Sequence, residues 1–416
     1  MKQILTLPIL LSMLIVLSGG KFIFSQKLNH LFINDSLIAE FISDVEKDSV
    51  ENHIQFLQDM GTRFMIAPNR KEVAESIKAR FQALGVQEVR IDSFYATTKI
   101  NYGNLQFDTL TTQYNIVATI PGIIDFDNFW IMGAHYDCVV APEGNPMVFA
   151  PGADDNASGV AALFEVARIF SQHEYQPTNT IELVAFGAEE LMYFGESGAQ
   201  AYVDTALANN INLELMINND MIGHTLTDNW EITISNYVDS EWLTDIAEQI
   251  TNDFTSIEPL VRNLSDEAGA DCKYFYEAGV PCLYFMEKDF NPYYHTDNDL
   301  ITNSDMEYCA EAIKLSVGVL LAAEDTTTTR VNDNMALSLK FYPNPANEEF
   351  KISGLNTEDQ FDFYVYDMQG REVKQVKIPM HDRTKINIRQ LPDGAYIICC
   401  ISKNQVYHGK IVKSRY

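Results

Sequence analysis

The period of the apolar positions changes along the chain, and those changes divide it. Residues 36–60, and then RKEVAESIKARFQALG ending at Gly85, place apolar residues three and four apart, which predicts helices. QEVRIDSFYA and QYNIVATIPG follow as two short β-rich segments, then a turn and FWIMGAHYD. From there apolar runs of strand length alternate with helical patterns. FWIMGA leads to the helix SGVAALFEVARIFSQ, then TIELVAF, a helix near 196–209 and LELMIN. The helix DSEWLTDIAEQITNDF, the strand VPCLYFM and the helix SDMEYCAEAIKLSVGVLLAAE complete the series. Continuous apolar strands separated by amphipathic helices belong to a sheet covered on both faces. The expected fold is therefore an α/β domain over residues 27–325, with a mostly parallel central sheet and helices on both faces. A Thr-rich linker over residues 326–335 ends this pattern. Residues 336–416 read as short alternating strands with Pro, Asn and Gly turns, which predicts a small all-β sandwich.

At the N-terminus a short positive start, MKQ, precedes ILTLPILLSMLIVLSGG and a set of small residues. This predicts a cleaved signal peptide over residues 1–25. No later stretch is long and apolar enough to span a bilayer.

Charge sharpens the division. Asp and Glu number 58 against 29 Lys and Arg, a net charge of -29. That balance argues against nucleic acid or anionic lipid as the main partner. Residues 336–416 carry +3, so the remainder carries -32. Export permits disulfides. None of the six cysteines forms a CxxC pair, and Cys272 with Cys282 is a candidate bridge.

The candidate chemistry lies just beyond the apolar strands. FWIMGA runs into His135 and Asp137, TIELVAFGA into Glu189 and Glu190, and LELMINN into Asp220. VPCLYFME leads through a loop to His295, and the helix SGVAALFEV begins just after Asp154, Asp155 and Asn156. In a parallel α/β sheet the carboxyl ends of the strands share one edge, where ligands bind. Carboxylates gathered there repel one another unless a cation sits among them. Imidazole with carboxylate is a ligand set suited to zinc, and two His with three carboxylates, one bridging, suit a pair of ions. Taken singly, each feature has a plainer reading as a loop residue, a solvated turn or a helix cap. His173, at the end of a helix, suits the negative end of its dipole, and His224 reads as a loop residue.

GAHYD, PGADDNASGVAAL, AFGAEE, NNDMIG and YYHTDNDL together resemble the successive motifs of the M28 family of zinc aminopeptidases. The resemblance covers essentially the α/β domain and implies a site with two Zn2+ per chain. His135 and Asp220 would bind one ion, Glu190 and His295 the other, and Asp155 would bridge them. Glu189 would be the general base that takes the proton of a metal-bridging water. On an extended Glu189–Glu190 pair the two side chains would face opposite ways. Asp137 and Asp299 would orient His135 and His295 as hydrogen-bond partners. The peptide bond after Asp155 would be cis. The expected activity is hydrolysis of N-terminal residues from peptides with a free N-terminus. The alternatives are a glutaminyl cyclase of the same fold, using one zinc, or a non-catalytic surface binding protein.

One departure concerns the oxyanion donor. SDEAGADCKYFYEAGVP has no Tyr where some family members place one, and Cys272 where many have His. Tyr293 or Tyr294 is the remaining candidate. The tail motifs FYPNPANEEFKI, FYVYDMQGREV and KINIRQLPDGAYIICC resemble the C-terminal sorting domain of type IX secretion. This implies that residues 336–416 engage secretion machinery. The protein would then be secreted or held at the cell surface after crossing inner and outer membranes.

Overall fold

The computed structural model describes residues 35–102, 105–141, 143–191, 196–263, 270–329, 340–353, 360–367, 372–379, 385–401 and 406–414. The expected signal peptide, residues 1–25, and positions 330–335 of the expected linker lie outside that set.

The first helical stretch is two helices, α1 (Asp35–Ser43) and α2 (Lys47–Gln58), and α3 spans Arg70–Ala83. Gly85 ends that region at φ +105°, a backbone state suited to glycine. An eight-stranded sheet follows. Its strands are β1 (Glu88–Tyr102), β2 (Leu105–Ile120), β3 (Asp125–His135), β4 (Asn179–Phe186), β5 (Asn212–Asn219), β6 (Glu231–Asn236), β7 (Glu258–Asn263) and β8 (Cys282–Glu287). The order across the sheet is β1-β2-β4-β3-β5-β8-β6-β7.

The four inner strands β4, β3, β5 and β8 run parallel, so their carboxyl ends share one edge. The flanks differ from a simple parallel sheet. β2 is antiparallel to both β1 and β4, and β6 is antiparallel to β8 and parallel to β7. β1 and β2 are also far longer than two short strands, pairing from Glu88–Thr119 to Tyr102–Leu105. Only Ile116–Ile120 of β2 reach β4, so the rest forms a two-stranded ribbon beyond the sheet.

Alternation along the inner strands divides the core. Trp130, Met132 and Ala134 of β3, with Leu215 and Ile217 of β5, face α1, α2, α3, α4 (Ala157–Gln172), α6 (Glu241–Phe254) and α8 (Met306–Thr329). Ile131 and Met216 face the other way, toward α5 (Gly198–Ala208) and the short α7 (Cys272–Glu277). Helix α8 continues to Thr329, inside the stretch expected to link.

The C-terminal strands form two antiparallel sheets. One has three strands, β13 (Lys385–Asn387), β10 (Glu349–Ser353) and β9 (Lys340–Tyr342). The other has four, β12 (Glu372–Pro379), β11 (Gln360–Asp367), β14 (Gly394–Ile401) and β15 (Val406–Lys413). Phe350, Phe363, Val365, Ile386, Ile398 and Ile411 form a core of their own between them.

A buried polar network pins α4 to α2 and α3. Glu165 of α4 is fully buried and accepts from Ser49, from His53 Nε2 at 3.0 Å and from Arg168 at 2.7 and 3.0 Å. Arg80 Nη2 lies 2.9 Å from His53 Nδ1. A guanidinium only donates, so Nδ1 accepts and Nε2 carries the proton that His53 gives to Glu165. Burial lowers the His53 pKa and keeps the ring neutral. For Glu165 burial alone would raise the pKa, but the hydrogen bonds from His53, Arg168 and Ser49 outweigh it and hold the value near 2. Its stabilisation is therefore present above the ordinary value of 4.5 and lost as pH falls toward 2, a difference on the order of 3 kcal/mol. Glu165→Gln is expected to lower Tm strongly at pH 7 and by clearly less near pH 3 in thermal unfolding. Equal losses at both pH values would remove Glu165 from the acid limb of stability.

Candidate metal centre

Each residue of the site is placed by the end of an inner strand or the start of α4. His135 is the last residue of β3. The chain then loops back through Pro151 and Gly152, which is at φ +50°, to Asp154 and Asp155. Arg63, fully buried, clamps that loop to β3. It donates to the carbonyls of Tyr136 (2.7 Å), Leu57 (3.0 Å), Pro151 (2.8 Å) and Gly152 (2.7 Å).

The Asp155–Asn156 peptide is cis, and Asn156 caps α4 by accepting from Gly159 N at 2.9 Å. Its Nδ2 donates to the Asn219 carbonyl at 2.9 Å. A Cβ on Gly159 would meet that same carbonyl at 2.2 Å, so only glycine lets the first turn of α4 lie so close to the end of β5. This approach brings Asp155 beside Asp220, which directly follows β5.

The five residues expected as ligands converge. His135 Nε2 is 3.2 Å from Asp155 Oδ1 and 3.3 Å from Asp220 Oδ1. His295 Nε2 is 3.2 Å from Asp155 Oδ2 and 3.0 Å from Glu190 Oε2. Asp155 thus turns one oxygen to each imidazole. The donor atoms of His135, Asp155 and Asp220 lie within 4.8 Å of one another, as do those of Asp155, Glu190 and His295. These are nitrogen and oxygen donors suited to zinc, and the shared carboxylate suits a bridge. Glu189 stands outside both sets, with Oε2 4.0 Å from His135 Nε2.

The electrostatics fit a missing positive charge. Burial raises the pKa of Glu189 well above the carboxylate range, pushes Glu190 up to about 7, and raises Asp220. Only Asp155 goes down: burial would raise it, but hydrogen bonds from His135 and His295 outweigh that. The two imidazoles are raised despite burial, His135 by Asp220 and Glu189, and His295 by Glu190 and Asp155 to about 11. The cluster thus draws positive charge onto every group that can carry it. A divalent cation meets the same need more fully.

The supporting shell departs from expectation at two aspartates. Asp299 was expected to orient His295; its carboxylate instead accepts from the amides of Asp154 (2.9 Å) and Asp155 (3.0 Å). Spacing along the chain pointed to His295, but the Asp154–Asp155 turn presents two N–H groups that a single carboxylate satisfies. Asp137 accepts from the amides of Glu189 (3.0 Å) and Glu190 (3.3 Å). His135 Nδ1 finds the Asp137 carbonyl at 3.1 Å, while the carboxylate is 3.6 Å away. That carbonyl fixes the ring proton on Nδ1 and leaves Nε2 free to face the carboxylates.

Glu189 and Glu190 diverge for a different reason from the one expected. They sit in a 3-10 turn, Glu189–Leu191, not on an extended segment. Ala188 before them, Met221 after Asp220, and His295 itself all have positive φ (60°, 56° and 57°). Left-handed non-glycine backbone costs about 1–2 kcal/mol per residue, and here three such residues belong to the site or adjoin it.

Cys272 and Cys282 are free, buried thiols; Cys272 Sγ lies 2.7 Å from the Tyr237 hydroxyl. Tyr294 stacks on His295, with centroids 3.7 Å apart. Sequence reasoning missed Arg63 and Asp271. Nothing in GTRFM marks an arginine that is buried without a carboxylate. Asp271 lies in the stretch quoted for its absent Tyr, but an aspartate before a helix reads as a cap.

Residues 115–319 match the model of peptidase family M28, and residues 340–414 match that of a secretion system C-terminal sorting domain. A probable zinc metalloprotease of Pyrenophora tritici-repentis is 33% identical over 46% of this chain and 45% of its own length. The chain thus spans less than half of that relative. A probable leucine aminopeptidase of Trichophyton verrucosum is 27% identical over 69% of this chain and 74% of its own. Among solved structures, LapB from Legionella pneumophila shares the fold with a TM-score of 0.58 at 20% identity, covering 72% of this chain and 78% of its own. Through residues 115–319 the chain belongs to peptidase family M28, and at residues 340–414 it carries a secretion system C-terminal sorting domain.

Proposed function

We propose that this protein is a secreted aminopeptidase with two zinc ions per chain, which removes the first residue from peptides with a free N-terminus. The observation that carries the reading is the shared carboxylate, Asp155, with one oxygen toward His135 and the other toward His295. In this reading His135 and Asp220 would hold one ion, Glu190 and His295 would hold the other, and Asp155 would serve both. Zinc in such a site supplies Lewis acidity, making a water acidic near neutral pH and polarising the scissile carbonyl.

The chain's own residues do the rest. Glu189 is buried and belongs to neither donor set, so its carboxylate is available to accept the water's proton and deliver it to the departing amine. Asp137 holds the backbone of Glu189 and Glu190, and Asp299 holds that of Asp154 and Asp155. Base and bridge are thus each anchored by a carboxylate that touches no substrate. The sorting domain supports export to the medium or the cell surface.

Purified protein is expected to contain close to two zinc ions per chain by elemental analysis and to hydrolyse aminoacyl p-nitroanilides until treated with chelator. One zinc per chain with cyclisation of N-terminal glutamine would overturn the reading. Glu189→Gln is expected to retain both ions and lose about 10²–10⁴-fold in kcat. Wild-type turnover in that variant would remove Glu189 as the base. Asp299→Asn leaves an amide facing two N–H groups, and zinc affinity measured by chelator competition is expected to fall about 10–100-fold. Deleting residues 340–414 is expected to leave hydrolysis intact in protein made in a cytoplasm and to abolish export. Export without the tail would contradict the sorting role.

A further inference from the structure

Asp271 is a carboxylate that the centre leaves unexplained. It is 1% exposed, and neither of its oxygens has a hydrogen-bond partner among the described residues. Such a group carries the full desolvation penalty and calls for a reason. It lies close enough to the centre to feel the charges of His135, Asp220 and Asp137, and it acts in turn on Glu189. Yet it belongs to neither metal-donor set, and no Lys or Arg among the described residues pairs with it.

A second orphan lies on the same face of the sheet. Asn218 is fully buried, with both carboxamide atoms unpartnered. Residues of β5 alternate between faces. Met216 packs with Cys272 and Phe275 of α7, so Asn218 points to the α7 side, whereas Asn219 points away to Ser316 of α8. Asp271 immediately precedes α7, which packs on β5 and β8. The α7 side of the centre thus holds a carboxyl group and a carboxamide, both without hydrogen-bond partners, next to the group read as the base.

The missing hydrogen-bond partner then comes from outside the chain. It is not a third metal, because a lone carboxylate and a carboxamide make a poor set. A peptide's α-ammonium fits: it is compact, carries three donors and is charged below its pKa of about 8. We propose that Asp271, with the Asn218 carboxamide on the same face, receives the α-ammonium of the substrate's first residue. Asp271 is then the group that makes a free N-terminus a requirement. This rests on the aminopeptidase reading and extends it.

The test separates the two. Wild-type hydrolysis of L-leucine p-nitroanilide establishes the activity first; its absence would count against the parent reading alone. Ki values are then measured for L-leucine and for 4-methylpentanoate, which lacks only the amino group. Wild type is expected to favour L-leucine. In Asp271→Asn that preference is expected to shrink at least 10-fold, with Ki for 4-methylpentanoate changed less than 3-fold, and Asp271→Glu is expected to restore part of it. An unchanged preference, or equal weakening of both ligands, would overturn the proposal. Should circular dichroism show Asp271→Asn unfolded, Asp271→Ser is read by the same ratio.

Discussion

Repulsion among buried carboxylates is the constraint from which the rest of the structure follows. Asp155, Glu189, Glu190 and Asp220 are crowded at one sheet edge with only two imidazoles between them. At low dielectric such a set does not hold together of its own accord. Every device around it keeps the carboxylates in place against that repulsion. Asp137 and Asp299 grip backbone amides, the Asn156 side chain ties α4 to β5, and Arg63 ties the loop before Asp155 to β3. Left-handed residues at Ala188, Met221 and His295 aim the side chains in a way regular strands do not.

The same logic explains why rigid elements surround the centre. The parallel pairing of β4, β3, β5 and β8 delivers four chain segments to one edge. Helix α4 runs from that edge into the Glu165 network. Its register is therefore set twice, by Asn156 at the cap and by Glu165 about two and a half turns on. Displacing α4 would move Asp155, the one residue that both donor sets share.

Much of this was legible in the sequence because it depends on local order. Continuous apolar strands, each ending in a charged residue, are enough to place His135, Glu190, Asp220 and His295 on one edge. The antiparallel flanks were not legible: β6 and β7 carry no periodic signal beyond their short length, and the ribbon of β1 and β2 extends through polar sequence. The partners of Asp137 and Asp299 were also hidden, because a carboxylate is chosen by whichever N–H groups the fold brings to it. Asp299 reaches amides 144 and 145 residues away, a distance no spacing rule encodes. Arg63 and Asp271 escaped notice for a related reason: burial, which gives each its meaning, is a property of the folded state.

The β1–β2 ribbon has a mechanical consequence. On its inner face Ala96 is completely buried and packs in one cluster with Phe64, Met65 and Ala188, with Val139 and Met147 against it. Ala188 directly precedes Glu189, and Val139 follows Asp137 by two residues. A surface appendage of the sheet therefore bears on both segments that set the direction of the Glu189 carboxylate. A small side chain at position 96 acts as a spacer, and its volume sets how far the ribbon stands off the turn beneath it. The outward-facing residues Tyr95 and Leu110 are exposed, so one ribbon has a solvated face and another whose added volume bears on the turn that carries Glu189.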